Sequence, residues 1–337
     1  MKNIIFNIII AAFLLYSCNT SEKYPGIDFK FIGTISNGDT VIYDVPCTNI
    51  RSIHLVDSLI VLHCDNTLDE KLLQVYHSYN GKKITSFAQY GRGPGEVDFV
   101  EVSYQRDLRV FQFITDHGQN ITFNIDSVMN GNLRGHSINL KSKLRGDQYS
   151  FIDTLLFSSA AKYMNDFYRF AIMSPTGDTI MCYRDGSQKR TPVILKPDYS
   201  KCFTYSNGNF ETEVFSLSKN SIKLFARTSY INPNKPISEE HIKLKEYPGI
   251  VNFPFPSDKY IYTPWSVSLN PHKSIQADKI LVFDWNGKAK GYVTIEKLNK
   301  LEGIMNINEE NKQLFLVVKN ANGQLNIVRY DMSHLPL

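Results

Sequence analysis

Short hairpin-like segments recur along this chain at nearly even spacing, and a repeat of that kind restricts the fold more than any single motif does. Leu73-Gln74-Val75-Tyr76-His77 runs into the turn Tyr79-Asn80-Gly81-Lys82, and Thr122-Phe123-Asn124-Ile125-Asp126 into a turn around Val128-Met129-Asn130. Arg169-Phe170-Ala171-Ile172-Met173 leads to Pro175-Thr176-Gly177-Asp178, and Glu213-Val214-Phe215-Ser216-Leu217 to Lys219-Asn220. Ile280-Leu281-Val282-Phe283-Asp284 leads to Trp285-Asn286-Gly287-Lys288, and a sixth segment, Asn326-Ile327-Val328-Arg329-Tyr330-Asp331, has no partner strand after it. The turns lie near positions 81, 129, 177, 220 and 287, which gives spacings of 48, 48, 43 and 67 residues.

Periods of about 40 to 50 residues suit a propeller blade of four antiparallel strands. The expected fold is all-β: one six-bladed β-propeller over residues 27–337, its ring closed by pairing of N- and C-terminal strands. Phe29-Lys30-Phe31-Ile32-Gly33-Thr34-Ile35 is the expected partner of the sixth segment, which would hide an edge open to aggregation. The spacing of 67 calls for an insertion, placed in the Pro-rich stretch Asn232 to Pro264. A two-sheet sandwich built of hairpins is the competing arrangement. Composition agrees with either, since 19 Tyr and 21 Phe with Gly, Asn and Asp punctuation fit pleated, half-buried surfaces. A net charge of +4 with both signs scattered gives no nucleic-acid footprint.

The N-terminus carries Lys2, an apolar run from Ile4 to Leu15 broken by Asn7, and then Leu15-Tyr16-Ser17-Cys18, which resembles a lipobox. The run is short for a membrane span, which needs about 20 apolar residues. Residues 1–17 are read as a lipoprotein signal peptide, Cys18 as the lipidation site, and residues 18–26 as anchor and linker. Attachment would come from acyl chains, each buried methylene contributing about 0.8 kcal/mol. The expected location is the outer membrane, facing the periplasm or the surface; Asn19-Thr20-Ser21-Glu22-Lys23 holds one acid and forms no acidic export cluster.

Phe87-Ala88-Gln89-Tyr90-Gly91-Arg92-Gly93-Pro94-Gly95-Glu96 resembles a signature of TolB-like six-bladed β-propeller lipoproteins of Gram-negative bacteria, and Glu213 to Leu217 followed by Ile222-Lys223-Leu224 is similar to a hairpin that recurs there. The resemblance covers essentially all of the mature chain. It implies a lipid-tethered propeller with its ligand unassigned, because that family is defined by architecture more than by activity.

The glycine-rich segment also has a chemical reading. Gly91, Gly93 and Gly95 permit close backbone approach, so consecutive amides could form an anion nest with Arg92 as a clamp for carboxylate or phosphate. The alternative is a tight connection between blades in which Arg92 and Glu96 pair locally. No Lys-Ser or Lys-Thr follows, so this is no P-loop. The eight His residues show no zinc spacing, no Asp-rich loop has the calcium pattern, and no Gly-x-Ser-x-Gly elbow appears, so no metal, cofactor or catalytic residue is nominated. Trp265 follows the Pro-rich stretch and could stack on a ligand or fill the gap between blades; Trp285 is read as occupying a hairpin turn at the rim. Cys47 with Cys64, and Cys182 with Cys202, are candidate disulfides for an exported protein. A tight turn at Val56-Asp57-Ser58-Leu59 would set Cys64 opposite about Arg51, with Cys47 well beyond it.

The functional expectation is a monomeric, non-catalytic binding or assembly module for a protein, peptide or glycan. The alternative is an extracytoplasmic hydrolase or lyase with carboxylates or a metal gathered at the central channel.

Overall fold

The computed structural model describes residues 29–337 apart from residues 66, 94, 99–101, 116–118, 140–147, 153–154, 164–165, 175–178, 184–192, 207–209, 219–220, 231–246, 251–253, 269–278 and 297–303. The expected signal peptide (residues 1–17), Cys18 and the expected linker to residue 26 lie outside the described residues, as do Lys219-Asn220 and Pro175 to Asp178.

The described strands form six sheets, five of them four-stranded and antiparallel. The first is Asn49–Val56, Leu59–Asp65, Lys71–His77 and Lys83–Gln89, and the second Val102–Gln105, Val110–Ile114, Gln119–Asn124 and His136–Asn139. The third is Gln148–Ile152, Leu155–Tyr163, Asp166–Met173 and Thr179–Tyr183; the fourth is Val193–Leu195, Lys201–Ser206, Glu211–Ser218 and Ser221–Ser229. In the fifth sheet Tyr247–Ile250 and Phe255–Pro256 both pair with Tyr260–Ser268, followed by Lys279–Asp284, Ala289–Ile295 and Phe31–Ile35, which makes six strands. The sixth sheet runs Met305–Asn308, Gln313–Lys319, Leu325–Asp331 and Asp39–Val45. The first-running strands gather beside one another: Met305–Asn308 lies next to Asn49–Val56 and to Phe255–Pro256, which also touches Val193–Leu195, while Val102–Gln105 touches Gln148–Ile152. This is a propeller arrangement of antiparallel blades, and the sandwich is excluded.

Apolar side chains fill the spaces between neighbouring sheets. Val61, Val75 and Phe87 of the first sheet meet Phe111, Phe113, Ile121 and Phe123 of the second. Phe157, Phe170 and Ile172 of the third meet Cys202 and Phe215 of the fourth. Each interface joins aromatic rings to branched aliphatic side chains, which explains why a chain this rich in Phe and Tyr shows little helical periodicity. His63 is buried in the first sheet with its ring edge-on to Phe113, and burial pushes its pKa down to about 4.

All six repeated segments hold the same place, the third strand of their sheets counted from the inside. Two expectations are corrected and two are refined in detail. The strand that pairs with Leu325–Asp331 is Asp39–Val45, and Phe31–Ile35 instead adds to Ala289–Ile295 in parallel. The two strands serve different cores: Val41, Ile42 and Val45 sink into the one shared by the sixth and first sheets, whereas Ile35 enters the one between the fifth and sixth and Phe31 stays 51% exposed. The turn expected at Val128 to Asn130 is a one-turn helix, Ile125–Met129, because Asn124 caps it by accepting from the Ser127 amide while Ile125 and Val128 are buried. Residues 232–246 and 251–253 of the expected insertion lie outside the described residues; of the described part, Tyr247–Ile250, Phe255–Pro256 and the start of Tyr260–Ser268 are sheet. The inner strand is described in two pieces, with Pro248 and Pro256 inside them at positions that donate no ladder bond. Trp285 occupies the hairpin turn expected of it, but its side chain is buried and its indole N–H donates to the Ser257 carbonyl at 2.9 Å.

Candidate functional site

The glycine-rich segment carries the chain from the outer strand of the first sheet to the inner strand of the second. Its base is closed by backbone bonds from the Val97 amide to the Gln89 carbonyl (2.8 Å) and from the Gly91 amide to the Val97 carbonyl (3.0 Å), with Val97 fully buried. Inside the loop the Gly93 amide donates to Glu96 Oε2 at 2.7 Å. The anion position of the expected nest is therefore filled by the chain's own carboxylate. A Cβ at Gly91 would fall 2.0 Å from that oxygen, so a larger residue there would have to push the Glu96 carboxylate aside. Glu96 folds inward onto the loop while Arg92 is exposed, so these two residues are held at the same loop in different roles. Tyr90, 55% exposed, stands beside them, and its amide donates to the Glu70 carbonyl at 2.8 Å.

A second polar region forms where the first hairpin turns of several sheets converge. Arg106 of the second sheet pairs with Asp258 of the fifth at 3.2 Å, although 152 positions separate them. Arg109 bonds Asp57 of the first sheet at 2.7 Å and grips Asp126 through two bonds of 2.9 Å. That guanidinium holds the Asp126 carboxyl below the usual carboxylate range. Ser257 donates to Glu309 of the sixth sheet. A small pocket beside this contact is lined by Lys259, Tyr260, Tyr262, Glu309 and Lys312. Chemically the region is a set of matched charges, with each of these acids facing a cation or a hydroxyl. Among the described residues no group of three or more His, Cys, Asp or Glu is placed to hold a metal ion. Sequence reading missed this region, and no local signal marks it, because its partners come from different repeats.

Trp265 is 4% exposed, packed at 5.4 Å edge-on to Phe29 and 6.0 Å from Tyr292, with the Lys279 ammonium 5.2 Å from its ring. It is far from Arg92 in the repeat order and belongs to the core between the fourth and fifth sheets. All four described cysteines are free thiols. Cys64 stands opposite Ile50, and the bend after Val45 returns Cys47 to it. Met181 and Tyr183 pack on the cluster that contains Cys202, so the alternation of the strand turns Cys182 to the other face.

No family model matches this chain, and no curated protein does. Solved structures do. A Bacteroides fragilis NCTC 9343 protein whose name describes it as exported aligns over 89% of this chain and 99% of its own length, at 10% identity and a TM-score of 0.55. The β-propeller domain of Myceliophteria thermophila Cps50 (Swd1) aligns over 87% of this chain and 99% of its own, at 8% identity and a TM-score of 0.50. At such identities the likeness concerns the fold, and it is to propellers.

Proposed function

We propose that this chain is a lipid-anchored, extracytoplasmic propeller of six blades, TolB-like in kind, that serves as a non-catalytic binding or assembly module for a protein, peptide or glycan. The count of six takes the six-stranded sheet as one blade, with an inner strand split in two and an extra parallel strand at its rim. The likeness to a Bacteroides protein named as exported supports a place outside the cytoplasm. One observation carries the binding reading: at the converging turns Asp57, Asp126, Asp258 and Glu309 are engaged by Arg109, Arg106 and Ser257. Carboxylates held this way are poor candidates for the acid and base of a hydrolase, which need a substrate between them. Arg92, exposed on a loop held rigid from beneath, is the group best placed to meet a carboxylate on a partner.

The test is the melting temperature of the chain without its first 18 residues against acidic peptides, glycans, divalent metals and a chelator. A ligand at about a hundred times its Kd stabilises by about 2.7 kcal/mol, enough to read as a shift. The expected result is a shift with a peptide or glycan that Arg92→Ala removes, with the ligand-free melting temperature within about 1 °C of the parent because Arg92 is a surface side chain. A metal-dependent shift reversed by the chelator would favour the hydrolase or lyase instead.

A further inference from the structure

Cys47 and Cys64 are 17 positions apart in a segment that joins two ends of the ring. Cys47 lies just beyond Asp39–Val45, the strand that closes the sixth sheet, and Cys64 lies in the second strand of the first sheet. The bend between them is fixed by the Cys47 amide donating to the Val45 carbonyl (2.8 Å) and the Thr48 amide to the Asp65 carbonyl (3.2 Å). Both side chains enter the core shared by the sixth and first sheets, Cys64 fully buried and Cys47 half-buried at its border. There the two thiols lie close enough to act on each other, the neighbouring Cys64 lowering the Cys47 pKa while Cys47 and burial raise that of Cys64.

We propose that Cys47 and Cys64 form a disulfide that ties the segment leaving the closing strand to the first sheet, made by exchange with a disulfide-bearing oxidant outside the cytoplasm. Cys47 is the thiol that reacts first, being the accessible one, and the neighbouring Cys64 lowers its pKa. Its thiolate attacks one sulfur of the oxidant's disulfide and expels the other as a thiolate. Cys64 then gives up its proton and attacks Cys47, releasing the second oxidant sulfur. Two thiols become one disulfide, and the oxidant's disulfide becomes two thiols, so electrons and protons balance. Cys47 and Cys64 belong to one core cluster, whereas joining Cys182 to Cys202 would require a side chain to cross its own strand.

The full chain, incubated with oxidised glutathione and digested without reductant, should yield a Cys47–Cys64 linked peptide by mass spectrometry and none joining Cys182 to Cys202. Oxidation should raise the melting temperature by about 4 °C, as expected for a loop of this length, and reductant should reverse the rise. Cys64→Ser should leave Cys47 as a mixed disulfide with glutathione. Recovery of both cysteines as free thiols or only as separate mixed disulfides in the parent chain would overturn the proposal. The parent measurement does not depend on any variant folding.

Discussion

Replacing Glu213 by Gln should lower the unfolding free energy by about 3 to 5 kcal/mol, the cost of leaving a buried charge without its counter-ion. Glu213 sits in the third strand of the fourth sheet, cross-strand from Thr204 on one side and Arg227 on the other. Arg169 reaches across from the third sheet, and both members of the Arg169–Glu213 pair are nearly excluded from solvent, at 5% and 6% side-chain exposure. Arg227 Nε adds a bond of 2.8 Å to Glu213 Oε1, and Arg169 also donates to Thr204 at 2.9 Å. The Arg169 guanidinium lies over the rings of Phe170 and Phe215 at 5.3 and 5.1 Å, so it cannot swing into water without breaking the interface. Burial alone would raise the Glu213 pKa, but the two guanidinium groups outweigh it and hold it below the ordinary value. A depressed folded pKa gives stability that is present above the unfolded value of about 4.3 and is lost as pH falls through the folded one. The gap between parent and Glu213→Gln, measured by urea unfolding, should therefore be full at neutral pH and shrink on acidification below about pH 4. A neutral-pH loss under about 1 kcal/mol, the range of an exposed pair, would show that the pair is solvated.

Gly81→Ala should cost about 3 kcal/mol, where Gly95→Ala costs about 1 kcal/mol. Both glycines have positive φ, +66° and +78°, so both substitutions carry the penalty of a left-handed residue. Only at Gly81 does the added Cβ collide with backbone, 1.8 Å from the carbonyl oxygen of Val41, while at Gly95 nothing lies within 4 Å. Val41 belongs to the closing strand, and the turn at Gly81 is pinned by its amide donating to the His77 carbonyl at 2.9 Å. The clash must therefore move either the outer hairpin of the first sheet or the strand that closes the ring. Equal losses at the two positions in chemical unfolding would mean that the hairpin does not press on the closing strand.

Much of the architecture was legible because each repeat announces itself locally. Val75 and Tyr76 before Asn80-Gly81, or Val282 and Phe283 before Asn286-Gly287, pair an apolar strand with a turn that needs a left-handed glycine, and both glycines have positive φ. The choice of closing strand was not legible. Phe29 to Ile35 and Asp39 to Val45 are both short and partly apolar, and what separates them is the shape of the gap between the last and first sheets, which Val41, Ile42 and Val45 fill. The split inner strand of the fifth sheet was hidden for a related reason, since Phe255 and Pro256 read as loop and only pairing to Tyr260–Ser268 makes them strand. Of the candidate site, Arg92 and Glu96 were found as a loop but not the direction of Glu96, which depends on one side chain choosing an amide over a guanidinium. The Arg106 to Asp258 contact could not be read at all, because nothing in either repeat refers to the other.

The closing strand is the feature on which the ring, the Gly81 contact and the placement of Cys47 all depend, and hydrogen exchange by mass spectrometry tests it most directly. If Asp39–Val45 completes the last sheet, those of its amides that bond Leu325–Asp331 should open only with that strand, at the same free energy, while Phe31–Ile35 exchanges sooner. Early exchange across Asp39–Val45, with Phe31–Ile35 protected to the level of Leu325–Asp331, would contradict the account.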